Sequence, residues 1–166
     1  MRAITIDVTV PRKASHEVFA TLADFARYPE LSPAVRSVHV DVVDERTTVS
    51  RWEVSFRAGI LRWVERDLLD PVAGTIEFQQ LEGDVAEFSG SWSCHDRGDD
   101  VAVTFAAQLD LGIPSLADAL EPIAVRTLRD NTIAIVQGLF GPDVRVDGVL
   151  DGHAEVALAG AAGARS

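Results

Sequence analysis

Four charged side chains, Arg62, Glu65, Arg66 and Asp67, crowd the strand-like stretch Ile60–Leu69. Strand alternation sends two of them to each face. One face holds Ile60, Arg62, Val64, Arg66 and Leu68; the other holds Leu61, Trp63, Glu65, Asp67 and Leu69. Two carboxylates buried together repel each other, so the first set, with Arg62, Val64 and Arg66, is expected to face inward. A bulge would reverse the choice. An inward Arg66 stands in an apolar space, tolerable where a carbonyl-bearing or anionic ligand, or water, fills it. Guanidinium stays protonated and offers several donors, so it can steady the negative charge developing on an enolate, but it is a poor base. The plainer reading of Arg66 is an ion pair with Glu53, Asp67 or Glu77 on neighbouring strands. Glu65 and Asp67 read as a solvated outer face, and become an acid/base pair only if the strand is turned over.

Other candidates are set against plain packing. Trp52, Phe56, Phe88 and Trp92 share inward parities and can form an aromatic cradle or simply core. Tyr28 lies where it can face a cavity mouth or pack under short helices. Thr127 and Asn131 fall at helical spacing with Leu120, Ile123 and Ala134, and polar groups on an apolar stripe need partners, or water in a hollow beside the helix. Cys94 is a poor nucleophile candidate: His95 points to the opposite strand face, and no helix N-terminus lowers the thiol pKa. The four His are scattered and His16 is expected at the surface, so a metal site is not expected.

Those residues need a scaffold, and the chain supplies strands followed by one long helix. Ala3–Val10 alternates like a strand. Ser15 can cap a short helix to about Leu22 with Val18, Phe19 and Leu22 buried, and Asp24 can cap a second to about Leu31. Strands are expected over Val35–Val43, Thr48–Arg57, Ile60–Leu69, Thr75–Leu81, Ala86–Cys94 and Val101–Leu111, joined by turns such as Ala58-Gly59 and Arg97-Gly98-Asp99-Asp100. Pro114–Phe140 reads as one uninterrupted helix, capped by Ser115 and stopped by Gly141-Pro142. The turns are short enough for an antiparallel meander. Residues 1–140 form one domain; 141–166, rich in Gly, Ala and Asp, read as a mostly flexible tail in which Val144–Leu150 can dock.

At 166 residues the chain can bury a core without disulfides. Its 15 basic residues, all Arg except Lys13, face 26 acidic ones, for a net charge of −11. Nucleic acid and anionic membrane surfaces would be repelled. A single cysteine and an N-terminus without a signal-peptide apolar region fit a reducing, cytoplasmic setting.

The order and spacing of several pieces resemble the START/Bet v 1-like (SRPBCC) superfamily, and within it the polyketide aromatase/cyclase branch. They are Val10-Pro11, Val18-Phe19, Leu22-Ala23-Asp24, Tyr28-Pro29-Glu30-Leu31, Trp63-Val64-Glu65-Arg66, Leu69-Asp70-Pro71, Phe78-Gln79-Gln80-Leu81-Glu82, Gly90-Ser91-Trp92 and Arg129-Asp130-Asn131. The resemblance implies an α+β helix-grip fold, in which a curved, seven-stranded antiparallel sheet wraps a long C-terminal helix, with two short helices after the first strand. It implies an internal cavity with Arg66 as the carbonyl-holding group and Trp92 beside it. It also places Gln79 inside, where apolarity alone would choose Ile76, Phe78 and Gln80. The chain departs from the family elsewhere: a cavity tyrosine falls at Val35, a second arginine near Gln79, and a His/Asp pair near Ala107 and Ile135. The implied function is ring closure or dehydration of a hydrophobic polyketide intermediate, with no cofactor. The alternative is a non-catalytic carrier of a quinone, lipid or pigment; an interaction module is a third. Acyl carrier proteins are usually acidic, so docking of one would be transient and through a local patch such as Arg51, Arg57 and Arg62.

Overall fold

The computed structural model describes residues 1–56 and 59–153, the side chains of 114–118 and 153 excepted. Strand β1 (Arg2–Val10) leads into helix α1 (Ser15–Leu22), a 3₁₀ turn at Phe25–Arg27 and helix α2 (Tyr28–Leu31). The meander β2 (Val35–Val42), β3 (Thr47–Phe56), β4 (Gly59–Asp70), β5 (Thr75–Gly83), β6 (Glu87–Arg97) and β7 (Asp100–Asp110) follows. Helix α3 (Pro114–Phe140) and strand β8 (Arg145–His153) complete the order. One antiparallel sheet runs β2-β3-β4-β5-β6-β7-β1-β8. Every meander step pairs neighbours in sequence, as short turns require.

This is the expected α+β helix-grip architecture, with one more strand. The stretch 145–153 lies in the expected mostly flexible tail, in which the sequence predicts docking only for Val144–Leu150, and it pairs as a full strand with β1 from Arg2↔His153 to Thr9↔Arg145. Low periodicity and small residues hid it. Asp147 is the extra residue at a register shift in that pairing, and its Oδ2 accepts a hydrogen bond from Thr9 Oγ1 at 2.5 Å. The rest of the expected tail, 154–166, lies outside the described residues, as do Arg57 and Ala58.

Two expected caps are replaced. The α1 N-cap is Ala14, whose N–H donates to Glu17 Oε1 (3.2 Å), while Ser15 turns its N–H and hydroxyl to Asp96 on β6 (2.8 and 2.9 Å). Helix α3 runs over the expected span, Pro114–Phe140, but its N-cap is Ile113 and not Ser115, as proline suits a first helical position whose N–H needs no partner. Gly141, at φ 92°, ends it as expected.

The core lies between the concave sheet face and α3, which packs on β1, β7 and α2. Ile4, Ile6, Val8, Val101, Val103, Phe105 and Val136 are all buried. Gly90 lets β5 and β7 approach closely here: a Cβ on it would stand 2.2 Å from the Ala106 carbonyl oxygen and 2.7 Å from Phe78 Cζ.

Candidate functional site

A cavity of about 120 Å³ opens between the sheet and α3. Its wall is mainly aromatic and aliphatic: Phe25 and Tyr28 from the short helical segments, Val35, Trp52, Val54, Phe56, Leu61 and Trp63 from β2–β4, and Phe78, Phe88, Trp92 and Phe105 from β5–β7. Helix α3 adds Thr127, Leu128, Asn131 and Ile135. The rings form a connected run. Trp52 and Trp63 lie parallel, 1° apart in plane with centroids at 5.8 Å. Tyr28 meets Trp52 edge-on at 5.6 Å, and Phe88 meets Trp63 edge-on at 5.3 Å. These are the offset and edge-to-face arrangements favoured by the ring quadrupole.

The sequence expectation for β4 is reversed. Leu61, Trp63 and Glu65 line the cavity, Asp67 is fully buried behind it, and Arg62 and Arg66 are exposed on the convex face. Val64 shares that outer parity, opposite the exposed Arg51. The reason lies in what each parity asks of the interior. Burying the even set would put two guanidiniums into apolar space and leave Trp63 in water. Burying the odd set lets Trp63 stack on Trp52, and its two carboxyls need not both ionise. The register does shift between Val64 and Glu65, but the extra residue is Leu81 on β5, so Trp63 and Glu65 keep one face.

Gln79 is likewise exposed, opposite Arg66, and Ile76, Phe78 and Gln80 face inward as apolarity alone indicated. Of the sequence-chosen residues, the structure brings Tyr28, Val35, Trp52, Phe56, Phe88, Trp92, Thr127 and Asn131 together around the cavity. Arg62, Val64, Arg66 and Gln79 stay outside. Arg62 bonds Glu53 instead (3.3 Å). Cys94 is buried, and burial pushes its thiol up to about 12. His16 is exposed, as expected.

Sequence reasoning missed Glu65 and Trp63 as cavity groups. Three large apolar residues on the odd parity, Leu61, Trp63 and Leu69, were the available signal. Glu65 is 4% exposed and Oε1 accepts the indole N–H of Trp63 at 3.0 Å. Burial and then the neighbouring Asp67 carboxylate raise its pKa well above the usual carboxylate range, toward the protonated form. Asp67 Oδ2 accepts the hydroxyls of Ser50 (2.7 Å) and Thr48 (3.0 Å), and Trp52 Nε1–H donates to Ser50 Oγ (2.8 Å). Burial raises Asp67 too, against those donors and Glu65, which lower it. Between the two, Asp67 is the one to ionise first.

Two other polar groups of the wall, Tyr28 and Thr127, are committed to backbone carbonyls, while Ser55, Asn131 and Thr132 also line it. Tyr28 O–H donates to the Leu22 carbonyl at 2.6 Å, and its pKa is raised by burial, then by Glu65 and Asp67. Thr127 Oγ1 donates to the Ile123 carbonyl at 3.0 Å. Glu65 is thus the one carboxyl among the described lining residues, a proton donor set in an apolar, aromatic enclosure.

Known proteins agree with this architecture. A protein from Thermus thermophilus superposes with a TM-score of 0.76 at 21% identity, covering 82% of this chain and 93% of its own. The Zhui aromatase/cyclase from Streptomyces sp. R1128 gives 0.73 at 20%, covering 84% and 92%. A START superfamily protein from Mycobacterium smegmatis gives 0.70 at 14%, covering 84% and 97%. At these identities the likeness is one of fold. No curated protein matches the chain in sequence. The model of the family described as polyketide cyclase / dehydrase and lipid transport matches residues 10–136, well over half of the chain, which therefore belongs to that family.

Proposed function

We propose that the protein binds a hydrophobic, polyketide-like intermediate in this cavity and promotes its ring closure or dehydration, with Glu65 as proton donor. The observation that carries the reading is a buried carboxyl facing an apolar cavity, its pKa raised by burial and by Asp67. Family membership supports a cyclase-like or ligand-binding role. In ring closure, an enol carbon of the substrate attacks a carbonyl carbon, and the carbonyl oxygen takes the Glu65 proton as the C–C bond forms. The enol hydroxyl proton then returns to the Glu65 carboxylate. In dehydration, the departing hydroxyl leaves as water with the Glu65 proton, and the proton lost from the adjacent carbon restores it. General acid catalysis of this kind contributes about 10²–10⁴-fold. The aromatic walls supply positioning of the folded chain. Arg66, on the convex face, has no part in this scheme.

The test is the product profile from poly-β-carbonyl substrates with the wild type, Glu65→Gln and Arg66→Ala. Glu65→Gln is expected to cut the enzyme-dependent product by about 10²-fold or more, and Arg66→Ala to leave it unchanged. Identical profiles for the wild type and Glu65→Gln would sink the acid role.

One feature favours a second reading, a non-catalytic carrier. Beyond Glu65, the hydroxyls of Tyr28 and Thr127 are already committed to backbone carbonyls. Native mass spectrometry of purified protein, with a quinone or lipid retained near one per chain, would support it.

A further inference from the structure

The Glu65–Asp67 pair bears on which ligands can enter. The two lie two residues apart on one face of β4, at 4% and 0% exposure. Among the described residues no ion pair reaches either, and no Lys, Arg or His lines the cavity. Ser50 and Thr48 donate to Asp67 Oδ2, which favours its ionised form, and Asp67 Oδ1 is buried without a partner. The groups that face the pair add no positive charge: Tyr28 from α2, Ser50 and Thr48 from β3, Trp63 on β4 itself and Gln80 opposite Glu65 on β5 are all uncharged. A buried carboxyl pair without a cation therefore forms this wall, Glu65 at the cavity face and Asp67 behind it.

We propose that this pair makes the cavity select against anions: it admits an uncharged, flat ligand whose oxygen accepts the Glu65 proton, and it rejects free carboxylates and phosphates. The inference rests on the reading of the cavity as the ligand site. An anion placed beside Glu65 would shed its hydration in an apolar space and meet like charge where screening is weak. A ketone or phenol asks for one donor only. The parallel faces of Trp52 and Trp63 favour a planar ring system. Within a family described by both cyclisation and lipid transport, this separates neutral polycarbonyl or quinone-like ligands from free fatty acids and phospholipids.

Calorimetric titration at pH 7 with 2-acetylnaphthalene and 2-naphthoate, which share a ring system and differ in charge, tests the proposal. The ketone is expected to bind at least about tenfold more tightly. Asp67→Asn should narrow that ratio, and Glu65→Gln, which keeps an N–H donor, should retain the ketone. Should either variant fail to fold, the wild-type comparison decides alone. Naphthoate binding as tightly as the ketone would overturn the selectivity and leave the cavity reading intact. Absence of binding by both would overturn the cavity reading along with it.

Discussion

Glu65 owes its role to its surroundings. A carboxyl at the usual value of 4.5 is ionised at neutral pH and gives up no proton. Burial and then the Asp67 carboxylate push Glu65 well above that value. The shift has a sign for stability. A carboxyl with a raised folded-state pKa leaves stability intact below about pH 4.5, and stability falls as the pH rises toward the folded-state value, because the unfolded chain ionises first. Thermal melts of Glu65→Gln should therefore lie above wild type at pH 8, the gap closing below pH 4.5. Parallel curves for the two from pH 4 to 8 would mean that Glu65 is not held neutral. Cys94 gives a simpler check. With its thiol pushed up to about 12 and its side chain buried, it should resist a thiol reagent at pH 8 until the protein unfolds. Rapid labelling of native protein would contradict the packing of β6.

Strand β4 shows what was legible and what was not. Parities of β3 and β6 followed from Trp52, Val54 and Phe56, and from Phe88, Trp92 and Cys94, because the large apolar residues of each fell on one side. On β4 both sides held apolar residues, so the charges had to decide. Counting two carboxylates as two charges gave the wrong side; one proton shared between them makes the pair easier to bury than two guanidiniums. No spacing rule reveals that proton, nor the donors Ser50 and Thr48, which pairing of β3 with β4 brings to Asp67. On β5, apolarity alone indicated the inner face correctly, and the resemblance misplaced Gln79. The close packing at Gly90 gives a prediction. Gly90→Ala pushes a methyl against the β7 backbone, and should cost about 1–3 kcal/mol by urea denaturation. A neutral effect would show that β7 and Phe78 can give way there.

The antiparallel order around α3 was readable from turn lengths, whereas β8 was not, since Val146, Val149 and Leu150 are separated by Gly and Asp and keep much of their surface exposed. That strand gives β1 a second neighbour. Without it, β1 would become an edge over the buried Ile4, Ile6 and Val8. Ending the chain after Pro142 should lower the protection of β1 amides in hydrogen exchange more than that of β3 amides. Equal losses in both would mean that β8 steadies the molecule as a whole and not its neighbour.

Acid chemistry, ligand selection and the pH dependence of stability all turn on one proton. Carbon-13 NMR of protein labelled at Glu and Asp side-chain carboxyls, with Glu65→Gln for assignment, would follow it directly through a pH titration. The Glu65 carboxyl should remain protonated at pH 7, and Asp67→Asn should lower the pH at which it ionises. A Glu65 resonance that titrates near pH 4.5, like an exposed glutamate, would contradict the site described above.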